Sequence, residues 1–116
     1  MRVIHFKDAD KYEPQKGWLR ASICGEKNIS VEYFEKPPKH SSPLHEHPQG
    51  QVCVVIKGRM IIKNGAGEES VLEAGDAVYF EPDEPHSIAN ALDEQSTGID
   101  IFVPGRSFDF WLKRIT

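Results

Sequence analysis

Short runs of strand-forming residues, cut at regular intervals by Gly, Pro and Asn, constrain this chain more than any other feature. Residues 18–24 and 29–34 read as strands around the polar turn 25–28. Residues 51–56 and 59–63 read as a hairpin about Lys57 and Gly58, and Asn64, Gly65 and Gly67 mark the next turn. Runs 69–72, 77–80, 86–90 and 98–103 complete the set. Strands this numerous and evenly spaced predict an all-β sandwich or barrel. Residues 107–114 read as either a short C-terminal helix or an extended arm. At 116 residues the chain is long enough for one sizeable core and not for two, so residues 1–116 form a single expected domain.

On that frame the histidines stand out. Three of the five lie at His45, His47 and His86. His45 and His47 are two apart, so on an extended strand both side chains point to one face, and Gln51 shares their parity if no bulge intervenes. Imidazole is the commonest side-chain ligand of transition metals, and three imidazoles with one amide oxygen fill most of a coordination sphere. His5 and His40 have no such company.

Composition excludes several partners. Acidic residues outnumber basic ones by 18 to 14, for a net charge of −4, and no basic run is present. Nucleic acid and anionic membrane surfaces are therefore poor partners. No apolar stretch approaches membrane-spanning length, and the N-terminus becomes charged too soon for a signal peptide. Two cysteines, Cys24 and Cys53, are too few for a disulfide scaffold, and a reduced, cytoplasmic setting is expected. Cys53 shares the parity of Gln51 and either looks into the barrel or fills the core as a small hydrophobe.

Two longer patterns add a family. The run 43–58, PLHEHPQGQVCVVIKG, resembles the first motif of the cupins, in which a glycine closes the strand after the metal ligands. The run 75–90, GDAVYFEPDEPHSIAN, resembles their second motif, glycine through proline to histidine and asparagine. The resemblance implies a double-stranded β-helix, or small jelly-roll barrel, whose lumen holds one divalent metal on His45, His47 and His86. A carboxylate completes that set in the family, and here the position holds Gln51. A neutral amide leaves about two full positive charges at the site, which makes the metal a stronger Lewis acid and leaves Ni, Zn, Fe or Mn as candidates.

The tail 98–110, GIDIFVPGRSFDF, resembles that of the pectin-degradation cupins, which carry an Asp-x-Phe-x-Pro-x-Arg pattern after a His/His/Gln/His site. Asp100, Phe102 and Arg106 match it, whereas Gln49 and Gly50 depart from the related first motif. The resemblance implies ring opening of 4,5-unsaturated uronates to linear keto-uronates, with a small sugar acid as substrate. Arg106 would grip the carboxylate, Asp100 would move the proton and Phe102 would form an apolar wall. Asp100 and Phe102 share one strand face; Asp100 either points inward or faces water at the strand end. Arg106 reads equally as a surface cation after a proline turn. Another metal-dependent cupin enzyme, an oxygenase or isomerase, and a non-catalytic small-ligand binder remain as alternatives. Trp18 with Leu19, and the strand 29–34, are candidates for a homodimer contact or for ordinary core.

Overall fold

The computed structural model describes residues 1–112. After a 3-10 turn at Phe6–Asp8, the strands are β1 Asp10–Gln15, β2 Trp18–Gly25, β3 Ser30–Lys36, β4 Gly50–Lys57 and β5 Arg59–Asn64. They continue with β6 Glu69–Glu73, β7 Ala77–Phe80, β8 His86–Asn90 and β9 Ser96–Val103, followed by a helical turn, α1, at Asp109–Leu112. All eight expected strands form. Strand β1, with the sequence DKYEPQ, escaped the reading because charged residues and Pro14 give it no apolar alternation. It survives as a strand because it lies at a sheet edge, where Pro and charge are tolerated.

The strands form two antiparallel sheets. The wide one has the order β1-β2-β3-β9-β4-β7, and the narrow one β6-β5-β8. The inward rows of β3, β4 and β7 meet those of β5 and β8 in one core of Phe34, Cys53, Val55, Met60, Ile62, Phe80 and Ile88. Each strand contributes every second residue, as a two-sheet sandwich requires. Gly98 is inward too, and a Cβ there would lie 2.6 Å from the ring of Phe34, so the glycine makes room for the largest core side chain beside it.

The expected hairpin about Lys57 and Gly58 does not form. Strand β4 already pairs with β9 on one side and β7 on the other, so β5 has no free edge to join and enters the narrow sheet instead. Gly58 makes that crossing at φ +92, against Ser96. The turn after β5 is as expected: Asn64 Oδ1 accepts from the amides of Ala66 and Glu68 at 3.1 and 3.0 Å, and Gly67 adopts φ +84. Of the C-terminal alternatives the helix is correct over Asp109–Leu112, while Lys113 and Arg114 lie outside the described residues.

The crossing at Gly58 sets a test. A Cβ there would sit 2.1 Å from Ser96 Oγ and 2.8 Å from its Cβ, on a backbone that L-residues rarely adopt. Gly58→Ala should therefore destabilise the fold by about 2 kcal/mol, read as a lower urea midpoint with an unchanged slope.

Candidate metal centre

Residues 45–49 are not a continuous strand. Strand β4 begins at Gly50, and His45 is held by an isolated antiparallel bridge to His86, with N–H···O contacts of 3.0 and 2.9 Å in the two directions. Between them His47 lends its carbonyl to the amide of Asp83 at 2.9 Å. The first motif is thus tied by its backbone to the second. The three imidazoles converge, and their ligand atoms lie within 4.8 Å of one another. His47 and His86 are buried and His45 is half-buried.

The hydrogen bonds fix which nitrogen faces the centre. Nδ1 of His45 lies 2.9 Å from the carbonyl of Pro43, that of His47 3.0 Å from Gln49, and that of His86 2.7 Å from Glu84. A carbonyl only accepts, so each Nδ1 carries the proton and each Nε2 keeps a lone pair. Gln51 is oriented as firmly. Its amide nitrogen donates to Asp100 Oδ1 at 2.8 Å, which turns its oxygen to within 2.9 and 3.1 Å of the Nε2 atoms of His47 and His86.

That arrangement carries a charge argument. Burial, with the neighbouring His45 and His47, lowers the pKa of His86 to about 4, and burial also lowers that of His45. With their protons on Nδ1, the rings of His47 and His86 point lone pairs, not N–H groups, at the amide oxygen of Gln51. Convergent acceptors with no proton between them repel unless a cation sits among them. The donor set of three imidazoles and one neutral oxygen fits a divalent transition metal, and the Nδ1 contacts are the outer bonds that orient metal-binding histidines.

Around the centre lies a buried polar network that joins the expected Asp100 and Arg106 to Arg20, Glu32 and Trp111, which the sequence reading did not include. Glu32 accepts from Arg20 Nη2 at 2.6 Å, from Trp111 Nε1 at 2.7 Å and from Arg106 Nη2 at 3.2 Å. Arg20 Nη2 also donates to Asp100 Oδ2 at 3.0 Å. The rows that build it are adjacent: Glu32 stands opposite Asp100 across β3 and β9, and Cys53 opposite Asp100 across β9 and β4. Asp100 therefore points inward, with 3% exposure. Cys53 belongs to the core, its thiol pKa pushed well up by burial and by Asp100, to which it donates. Phe102 is buried, and the guanidinium of Arg106 is sandwiched between the rings of Phe102 and Phe110 at 4.0 and 4.1 Å. Arg106 is thus an interior cation rather than a surface one.

A cavity of about 200 Å³ opens onto this network, lined among others by His45, His47, Gln51, Asp100, Phe102 and Arg106, with Trp18, Arg20, Lys36 and Trp111. The structure gathers every expected site residue here except His86, which lies beneath the wall with no exposure. Trp18 faces this cavity, its ring 4.4 Å from that of His40 and 5.3 Å from that of Trp111, so it does not present an outward dimer face. Phe34 is likewise core. The signal for the missed residues was the parity of β3, where Ser30, Glu32, Phe34 and Lys36 all point inward. Two charges on the face that also carries Phe34 are costly to bury, and that cost marks a site.

The fold and the centre together define a two-sheet β-sandwich protein in which three histidines are positioned to bind a metal, beside a charged cavity. The chain belongs to the cupin family: the family model described as Cupin domain matches residues 32–102. Among solved structures it is similar to an RmlC-like cupin from Shewanella frigidimarina, at TM-score 0.82 and 21% identity over 95% of this chain and 96% of that one. It is also similar to KdgF from Halomonas sp., at TM-score 0.80 and 22% identity over 93% and 96%. An oxalate decarboxylase from Bacillus subtilis gives TM-score 0.76 and 21% identity, covering 90% of this chain and 30% of that one. A search of curated protein sequences gave no match. At these identities the structures establish the fold alone. Among the described residues no helix is long and apolar enough to cross a membrane.

Two outcomes follow from the centre and its surroundings. Replacing His47 and His86 together by Ala should abolish stoichiometric metal in the purified protein, measured by elemental analysis; equal metal in mutant and parent would reject the site. The second concerns Lys36, whose pKa is lowered to about 8 by burial and by Arg20. Between pH 8 and 10.5 the unfolded chain holds a proton that the folded chain has released, so stability rises with pH across that window. The contribution is about 3 kcal/mol. Lys36→Met should flatten this slope in urea titrations taken at pH 7.5 to 10.

Proposed function

We propose that this cupin is a metal-dependent enzyme that opens the ring of 4,5-unsaturated uronates to linear keto-uronates. The observation that carries the reading is Asp100: a buried carboxylate on the cavity wall, hydrogen-bonded through Gln51 to the metal centre and held on its other oxygen by Arg20. The similarity to KdgF and the tail pattern Asp100, Phe102, Arg106 support it. His45, His47, Gln51 and His86 would hold one divalent ion, Ni, Zn, Fe or Mn, which when bound supplies Lewis-acid stabilisation of negative charge on oxygen.

The protein's own groups do the rest. The reaction is an isomerisation: the anomeric hydroxyl loses its proton, the C1 to ring-oxygen bond breaks, and C1 becomes an aldehyde. The ring oxygen is left on C5 as an enolate, which becomes a ketone when C4 gains a proton. Asp100 takes the first proton and returns it to C4, so no co-reactant is needed. Arg106 receives the substrate carboxylate. Its Nη2 is held by Glu32, while Nη1 makes no hydrogen bond among the described residues and remains a donor. Phe102 backs the guanidinium and closes the wall beneath the sugar. A cavity of about 200 Å³ suits a monosaccharide better than a polymer.

The reading includes a cytoplasmic homodimer joined through the N-terminal strands. It is supported by the outer edge of β1, which no described strand covers. Light scattering that returned the mass of one chain would reject the dimer.

The chemistry is tested with variants. Asp100→Asn keeps the shape and an oxygen for Gln51, so metal should be retained while turnover falls by about 10²–10⁴-fold. Arg106→Ala should raise KM more than it lowers kcat, because Glu32 stays held by Arg20 and Trp111. The assay is loss of the 4,5-unsaturated chromophore. A parent that never exceeds the spontaneous rate, or an Asp100→Asn variant as fast as the parent, ends the proposal.

A further inference from the structure

Three cations line the cavity, and the carboxylates answer two of them. Arg20 is paired with Glu32 and Asp100, and Arg106 with Glu32. Lys36 differs. It is 3% exposed, yet no carboxylate lies within ion-pair distance of its Nζ among the described residues. Its hydrogen-bond partner is Nδ1 of His40, at 3.1 Å, and the rings of Trp18 and Phe34 lie beneath it at 5.0 and 5.9 Å. Burial and the nearby Lys36 lower the pKa of His40 to about 4, so the imidazole is neutral at pH 7 and accepts one of the three ammonium donors without supplying negative charge.

The charge count is short. Arg20, Lys36 and Arg106 are three buried cations against two buried carboxylates, Glu32 and Asp100, which leaves one positive charge over. Purely structural buried charges are paired, because an isolated one is costly. Aromatic faces soften that cost without cancelling it. The uncancelled cation stands on the wall of a cavity large enough for a small molecule.

We propose that Lys36 anchors the carboxylate of a small mono-anionic ligand in this cavity. One carboxylate answers the side-chain cation that Glu32 and Asp100 leave over, which a neutral sugar does not. Arg106, already held by Glu32, then supplies a second donor to the same anionic end of the ligand, and Lys36 sets the preference for uronates over neutral sugars. The inference rests on the reading above only for the class of ligand, a uronate, and not for its reaction.

The test uses a saturated uronate that cannot undergo ring opening. Sodium galacturonate is titrated into the metal-loaded protein while the melting temperature is followed, with galactose in matched sodium chloride as the neutral control. The parent should be stabilised by galacturonate and not by galactose. Lys36→Met should keep its metal and lose at least tenfold in galacturonate affinity, and Lys36→Arg should recover part of it. If Lys36→Met does not fold, acetic anhydride labelling of the parent, read by mass spectrometry, takes its place: galacturonate should slow acylation of Lys36 and galactose should not. A parent melting temperature unmoved by galacturonate, a Lys36→Met affinity within twofold of the parent, or acylation indifferent to galacturonate would overturn the proposal. A failed chromophore assay beside a galacturonate shift that depends on Lys36 would end the ring-opening reading and leave the anchor standing.

Discussion

The bond from Gln51 to Asp100 decides the character of the centre. An amide can present either its oxygen or its nitrogen, and only the oxygen can serve a metal. Asp100 takes the nitrogen, at 2.8 Å, and so turns the oxygen toward His47 and His86. The arrangement also explains why a glutamine serves at a position where the family commonly has a carboxylate. A second carboxylate at residue 51 would lie against Asp100 with no proton to share, and like charges at that distance cannot both ionise. The negative charge has in effect moved one side chain outward, from the ligand to the cavity wall. There, under the function proposed above, it would serve a substrate instead of a metal.

Asp100 in turn depends on charge brought from far along the chain. Arg20 on β2, Glu32 on β3 and Asp100 on β9 come together because β3 pairs with β9 in a register that sets Glu32 opposite Asp100. Taking such groups out of water is expensive, and an apolar replacement of equal volume is often as stable or more so. Their retention therefore favours a role in the site over a role in holding the sheets together, which the apolar rows of β4, β5 and β8 already do.

Most of the fold was legible because strand texture and turn residues are local signals. The eight strands, the turn at Asn64 and the two histidine motifs were read from neighbours in sequence. What failed was everything set by pairing at a distance. Whether residues 51–63 form a hairpin depends on how many edges of β4 are already taken, and β7 and β9 take them from later in the chain. Residues 45–49 could not be seen to leave the strand, because the bridge that holds His45 comes from His86. The three histidines still converge as expected, since both strand parity and the bridge aim them at one point. Arg20, Glu32 and Lys36 were missed for the opposite reason. Charged residues read as surface by default, and the inward parity of Phe34 on the same strand gave away only Glu32 and Lys36.

The cavity follows from the unequal widths of the two sheets. Three strands cannot cover six, so β5 and β8 pack against the half of the wide sheet that carries Val55, Phe80 and the inward side of Phe34. The inward faces of β2 and β3 are left for other parts of the chain to close. The segment holding Ser42, Pro43 and His45 does so on one side, and Phe110 and Trp111 of α1 do so on another. Loops and a single helical turn fill space less completely than a packed sheet does, and the remaining gap is the cavity. Its position is what joins the two groups of residues, because the wall offered by β2 and β3 carries Arg20 and Lys36 while the closing segment carries His45 and His47. A sandwich with sheets of equal width would bury Lys36 against apolar side chains, where no carboxylate answers its charge. The mismatch of strand number is therefore the architectural reason that this fold sets the three converging histidines and the buried cations around one cavity.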